Sequence, residues 1–308
     1  MSVIKVVFTF DENYLVQGLV AALSLLDADR QEKYGLFFLS EKPISERARV
    51  KFEKVLKGYP NLDFVKFVSL GRSMEGGYES RHLNRSTYLR LEIPELFPEE
   101  DKLIYSDVDV LYLGGLRPLW DVNIEDVYVA ACLDVGLNRK EVFDKKTKTL
   151  SYWSRYFSGR RGSYYQAGLL VMNLRRLRNE GFVPKWREMT RERFEHHDMD
   201  ILNITCFPHM KKIDSRFNVI PSHFLNKSYE VGVEEGFISE KELRDVYKKP
   251  VMLHFAGAKK PWRYPSIPGG YEYWRFLREL PELVLEVKRK YAWGLSERLK
   301  FLFSKPLF

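Results

Sequence analysis

Asp107 and Asp109 stand one residue apart, directly after the apolar run Leu103-Ile104-Tyr105. Side chains of an extended chain alternate faces, so the two carboxylates point to the same side where that run ends. A pair so close repels itself unless a proton or a cation neutralises it, and the chemistry it offers is that of a hard divalent-ion site. A second apolar run, Val251-Met252-Leu253, delivers His254 just before Phe255-Ala256-Gly257, and a strand-end imidazole is a natural third ligand. Most Asp-x-Asp triplets are solvated turn carboxylates. The expectation of a metal therefore rests on the preceding strand and on this distant histidine.

The elements that would position these groups follow in chain order. Residues 4–10 are strand-like, and after Asp11-Glu12-Asn13 the residues Leu15, Leu19, Ala22, Leu23 and Leu26 keep helical spacing. A strand over 36–39, a charged helix over 45–57 and a strand over 62–68 continue the alternation, which predicts a parallel sheet covered on both faces. Ligands of such sheets bind beyond the carboxyl ends of the strands, where Asp11, Asn13, Asp107 and Asp109 fall. Asp134 follows a further strand over 127–133. In the stretch 81–90 the second half has helical spacing and carries Arg90, placed to reach a phosphate or carboxylate or else to lie solvated on a helix.

Residues 139–148 and the Gly-Arg-Arg-Gly at 159–162 look like mobile basic surface, the latter without the strand or the Gly-Lys-Ser/Thr ending of a phosphate loop. Gln166-Ala167-Gly168 reads as a small-residue turn into a buried strand, with Gly168 letting a ligand approach the backbone. Asp198 and Asp200 open an apolar helix, where acidic side chains also serve as caps. The adjacent His196 and His197 cannot share a zinc ion and are expected to be exposed in a loop.

A chain of 308 residues with 45% hydrophobic residues can fill one large core. Cys132 and Cys206 form no close pair, which argues against disulfides and structural zinc and for buried free thiols. The layout of a signal peptide is lacking, as is any membrane-length apolar run, so a cytoplasmic protein is expected. A net charge of +8 calls for an anionic partner. Residues 288–308 carry six basic residues against Glu297 alone, interleaved with Tyr291, Trp293, Phe301, Leu302, Phe303 and Phe308. Such a segment either docks peripherally on an anionic membrane or packs as a surface helix with a loose end. We therefore divide the chain into a domain over 1–281 and a basic, aromatic appendage over 282–308.

Seven segments in order carry a resemblance: Phe10-Asp11-Glu12-Asn13-Tyr14; Thr87-Tyr88-Leu89-Arg90-Leu91; Tyr105-Ser106-Asp107-Val108-Asp109-Val110-Leu111; Leu116-Arg117-Pro118-Leu119-Trp120; Ala167-Gly168-Leu169-Leu170-Val171-Met172-Asn173-Leu174; Asp198-Met199-Asp200-Ile201-Leu202-Asn203; and His254-Phe255-Ala256-Gly257-Ala258-Lys259-Lys260-Pro261-Trp262. Together they resemble the family 8 glycosyltransferases, nearest the bacterial lipopolysaccharide galactosyl- and glucosyltransferases and more distantly glycogenin. The resemblance implies a GT-A-type α/β fold with a mainly parallel sheet flanked by helices. It also implies retaining transfer of galactose or glucose from a UDP-sugar to a saccharide or lipid-linked saccharide, with Mn2+ or Mg2+ as cofactor. By position it makes Asp107, Asp109 and His254 the metal ligands, and Gly257 and Lys260 diphosphate contacts. Asp11, Asn13, Arg90, Val108 and Gln166 fall in the donor site, while Asp134, Asp198 and Lys260 fall at the reacting centre. Gln166 and Met199 depart from the family pattern, which has Asn and Gln there.

Two other classes fit less well. An Asp-x-Asp phosphatase would carry its pair on the first strand. A nucleic-acid-binding module would show an aromatic-and-glycine RNA signature or zinc-finger spacing, and neither is present, so no nucleic acid is expected.

Overall fold

The computed structural model describes residues 2–71, 85–291 and 293–308. Residues 81–84, the first half of the stretch leading to Arg90, lie outside the described residues. Nine strands are described: β1 (Ile4–Thr9), β2 (Tyr34–Ser40), β3 (Leu62–Ser69), β4 (Lys102–Ser106), β5 (Val110–Tyr112), β6 (Val129–Leu133), β7 (Tyr165–Asn173), β8 (Met210–Ile213) and β9 (Met252–His254). Seven of them form one sheet in the order β3-β2-β1-β4-β7-β6-β8. All its neighbours pair in parallel except β7, which runs antiparallel to β4 and β6. The strands β5 and β9 make a small antiparallel ladder of their own.

Continuous apolar runs explain the layering. Every residue of β2, β6 and β7 is buried, as sheet covered on both faces requires. Along β1, Val6 and Phe8 enter one apolar cluster and Val7 the other, so the pleat sends alternate side chains into two cores. The helix Leu15–Ala28 lies under the first core with Val16 to Leu26 all buried, which is why its composition is apolar all round. The helix Glu46–Leu56 shows the opposite pattern, burying only Ala48, Phe52 and Leu56 at four-residue spacing. Its Ser45 side chain accepts a hydrogen bond from Ala48 N at 3.3 Å, a cap worth about 1 kcal/mol.

Two expectations need correcting. Residues 139–148 are not loose surface: Lys140–Thr149 is a helix pinned by buried Phe143, whose ring meets Trp153 at 5.4 Å. Lys and Glu are good helix formers, and one large apolar anchor suffices to dock them. The small-residue turn at 166–168 is instead the interior of β7. Towards the C-terminus, the helix Pro281–Lys290 buries Leu283 and Val287 in the main core, and Trp293 meets Trp274 at 4.5 Å. Tyr291, Trp293 and Phe301 thus pack against the body, while Leu295, Leu302 and Phe303 stay 74%, 75% and 82% exposed.

Candidate active site

The pairing of β4 with β7 continues past the last strand residue, Asp107 N donating to Gly168 O at 2.9 Å. Val108 then turns into the core, which leaves Asp107 and Asp109 facing a cleft of about 550 Å³. The register of the small ladder sets Val110 opposite His254, so a histidine far away in sequence arrives beside the two aspartates. His254 Nε2 lies 3.4 Å from Asp107 Oδ2 and 3.4 Å from Asp109 Oδ1. One ligand atom from each of the three residues falls within 4.8 Å of the others, the one such group among the described residues. Two oxygens and one imidazole nitrogen converging on a point suit a divalent ion with open positions, so the residues fit the metal that the resemblance implies.

The outer carboxylate oxygens are already committed. Asp107 Oδ1 accepts from Arg90 Nη2 at 2.9 Å and from the Tyr105 hydroxyl, which in turn contacts Thr9 Oγ1 at 3.1 Å. Asp109 Oδ2 accepts from Lys260 Nζ, which also donates to Phe255 O at 2.8 Å. Burial alone would raise the Asp109 carboxyl, yet Lys260 and His254 beside it hold it well below the usual carboxylate range. Arg90 is not solvated: it is buried, donates to Ala167 O at 2.5 Å, and pairs through Nε with Asp198 Oδ2 at 3.0 Å. One guanidinium thereby ties a candidate metal ligand to the carboxylate at the far side of the cleft.

Gly168 lines the cleft and has a further use there. A Cβ built there would come 2.3 Å from His254 Cε1 and 2.5 Å from Nδ1, so the glycine makes room for the imidazole. Gly168→Ala should therefore push the ring off its position and weaken Mn2+ binding by at least about tenfold. Circular dichroism should show the fold retained, because the clash is with a side chain rather than with backbone.

At the far side, Asp198 sits in the first turn of the helix His197–Thr205. Burial pushes its carboxyl up to about 7, against the pull of Arg90. Asp200, fully buried, is fixed by the hydroxyls of Tyr164 at 2.6 Å and Tyr152 at 2.9 Å and by His196 N at 2.9 Å. The expected exposed histidines are not so: His197 is buried, its Nδ1 3.2 Å from the Tyr88 hydroxyl, and it takes a backbone φ of 48°. His196 is partly buried, 6.2 Å from the Trp153 ring. Packing of this helix against the segment Arg85–Glu92 draws His197 in, while the rings of Trp153 and Tyr164 take in His196.

The raised Asp198 carboxyl has a stability consequence with a definite sign. In the folded chain it stays protonated up to about pH 7, whereas in the unfolded chain it ionises near pH 4. The unfolded state then holds fewer protons, so this group's contribution is fully present below pH 4 and is lost as pH rises towards 7. Asp198→Asn should gain stability relative to the parent between pH 5 and 8, by up to about 4 kcal/mol, measured by urea unfolding.

Of the residues singled out from sequence, Asp11, Arg90, Asp107, Val108, Asp109, Gln166, Asp198, His254, Gly257 and Lys260 all line the cleft. Asn13 does not; it is exposed, and its carbonyl accepts from Lys290 Nζ. Asp134 lies just behind the lining, accepting from Gln166 Nε2 at 2.5 Å. The sequence reading missed Tyr105 and Thr9, although Tyr105 lies two residues before Asp107 and so shares its face. It also missed Tyr14 as a cleft residue, an aromatic ring held edge-on to Trp262.

Comparison with known proteins fits this geometry. A sequence profile described as Glycosyl transferase family 8 matches residues 5–266. A putative glycosyltransferase of Haemophilus influenzae is 30% identical over 59% of the chain, a match spanning 50% of that protein's length. The lipopolysaccharide 1,3-galactosyltransferase of Salmonella typhimurium is 24% identical over 84% of the chain and 72% of its own. Among solved structures, the galactosyltransferase LgtC in complex with donor and acceptor sugar analogues superposes with a TM-score of 0.69 at 25% identity, covering 96% of the chain and all of LgtC.

Proposed function

The chain belongs to glycosyltransferase family 8, and from that premise we propose that it moves galactose or glucose from a UDP-sugar to a saccharide acceptor, with retention and with a divalent ion held by Asp107, Asp109 and His254. The observation that carries the reading is the convergence of those three side chains at the end of β4, flanked by Lys260 and Arg90. Relatives that act on lipopolysaccharide support an acceptor that is itself a surface glycan, free or lipid-linked.

The chemistry asks little of protein nucleophiles. A nucleoside diphosphate leaves readily once its growing charge is neutralised, and an ion of the Mn2+ or Mg2+ type bound at the triad would supply part of that charge. Lys260, on the outer oxygen of Asp109 and at the base of the segment that carries Gly257, is placed to supply the rest. Gly257 has a φ of 87°, a conformation open to glycine, which lets the backbone after His254 turn back towards the cleft. Asp11 and Tyr14 give the other end a carboxylate and an aromatic face, suited to a nucleoside. Asp198, with Asp134 behind Gln166, would orient sugar hydroxyls and offset positive charge at the anomeric carbon. The test is a screen of nucleotide sugars for Mn2+-dependent hydrolysis without acceptor. Turnover of UDP-galactose or UDP-glucose supports the reading, and none with any UDP-sugar removes it.

Among the described residues no helix is long and apolar enough to cross a membrane. We propose instead that the helix Leu295–Leu302 lies on an anionic membrane surface. Leu295, Leu299 and Leu302 recur at helical spacing and are exposed together with Phe303, while Arg298, Lys300 and Lys305 supply positive charge. Replacing the exposed Leu295, Leu302 and Phe303 together by serine should abolish sedimentation with vesicles rich in anionic lipid and leave the fold intact, since Phe301 keeps its packing on the body; unchanged sedimentation would make the segment structural.

A further inference from the structure

We propose that Asn218 selects for His254 the tautomer that offers its Nε2 lone pair to an ion held between it, Asp107 and Asp109, an inference that rests on the metal reading above. Asn218 follows the turn Ser215–Phe217 and is 3% exposed. Its neighbour Val219 is clamped to β9, with Val219 N donating to Met252 O at 2.9 Å and His254 N to Val219 O at 2.8 Å. These two backbone bonds set the Asn218 and His254 side chains against each other. Asn218 Oδ1 lies 2.9 Å from His254 Nδ1, and the opposite ring nitrogen is the one 3.4 Å from each carboxylate.

A neutral imidazole carries one N–H and one lone pair. An acceptor at Nδ1 draws the proton there and leaves Nε2 bare, the form that binds a cation. With the proton on Nε2, the ring would donate to the aspartates and offer an ion nothing. The remainder of Asn218 argues that its oxygen is what matters. Its Nδ2 is buried with no hydrogen-bond partner among the described residues, a desolvation cost that a leucine of similar size would not carry. As a mere filler of the core, asparagine is a poor choice. As an acceptor beside a ligand histidine it does what carboxylates and carbonyls do behind other metal-bound imidazoles.

Mn2+ alone, titrated against the full chain and followed by the electron paramagnetic resonance signal of the free ion, tests the assignment. Asn218→Leu should weaken Mn2+ binding by about 10- to 100-fold. The melting temperature of its metal-free form should be unchanged or higher, which a structural role would not give. In a His254→Gln background the same substitution should change affinity by less than about threefold, because the partner it acts through is gone. If Asn218→Leu does not fold, Asn218→Ala is held to the same criteria. A parent chain that binds no Mn2+ overturns the metal reading and this one with it. A parent that binds while the variant binds equally well overturns the role of Asn218 alone, as does a loss that persists undiminished without His254.

Discussion

Asp107→Ala and Asp109→Ala are each expected to abolish sugar transfer, by a factor of at least about 1000, in chains that still fold. Lys260, paired with its outer oxygen, holds Asp109 ionised at any working pH, so its removal deletes a full negative charge from the proposed metal site. Several kcal/mol of lost charge stabilisation at the reacting phosphate corresponds to that drop in rate. The two variants should differ in stability. Asp107 also anchors Arg90 and the Tyr105 hydroxyl, and its loss leaves a buried guanidinium with Asp198 as its remaining carboxylate partner. Asp109 leaves behind Lys260, which keeps the Phe255 carbonyl. A lower melting temperature for Asp107→Ala than for Asp109→Ala is the expected order, with steady-state turnover and calorimetry as the measurements. Full activity of the parent in excess chelator would overturn the metal dependence altogether.

The strand-end carboxylates were legible in the sequence because each depends on a local pattern: an apolar run fixes a strand, and period-two alternation fixes the face. His254 was legible for the same reason, but its partnership with the aspartates was an inference from ligand chemistry that the β5–β9 register then made concrete. The contacts made across the chain were not legible. Nothing local to Arg90 distinguishes a solvated arginine from one spanning two buried carboxylates. Nothing local to Gly168 says that it gives space to a histidine 86 residues later. Asn218 carries no motif at all, since its position is set by the bridge from Val219 to Leu253. The antiparallel run of β7 in an otherwise parallel sheet was missed for a related reason: the direction of a fully buried strand leaves no mark on its apolar pattern. The misplaced histidines share that cause, because a polar His-His pair in sequence gives no sign of the helix packing that buries His197.

Asp198→Asn is expected to lower turnover by about 10- to 1000-fold, and the parent enzyme is expected to form no covalent species with donor alone. The proposed retention of configuration would require either two inversions through a glycosyl-enzyme, or entry of the acceptor hydroxyl on the face from which the diphosphate departs. Met199, at the position where the family pattern has Gln, offers a thioether that is at most a weak acceptor, so it supplies no useful nucleophile. Asp198 is the remaining candidate for attack, and its surroundings argue against that task. Its carboxyl is buried and raised to about 7, so near neutral pH much of it is protonated, and its Oδ2 is engaged by Arg90 Nε at 3.0 Å. Its ionised fraction can offset charge and either form can orient a hydroxyl, but an attacking oxygen would have to leave the guanidinium first. The same-face route asks only for a placed acceptor and a departing phosphate oxygen that takes its proton. Asparagine at 198 keeps the shape and loses the charge, which accounts for the partial rather than complete loss. Intact-protein mass spectrometry after incubation with donor alone decides between the routes: an unmodified mass supports same-face transfer, and a stable hexose adduct mapped to Asp198 would replace it with a double displacement.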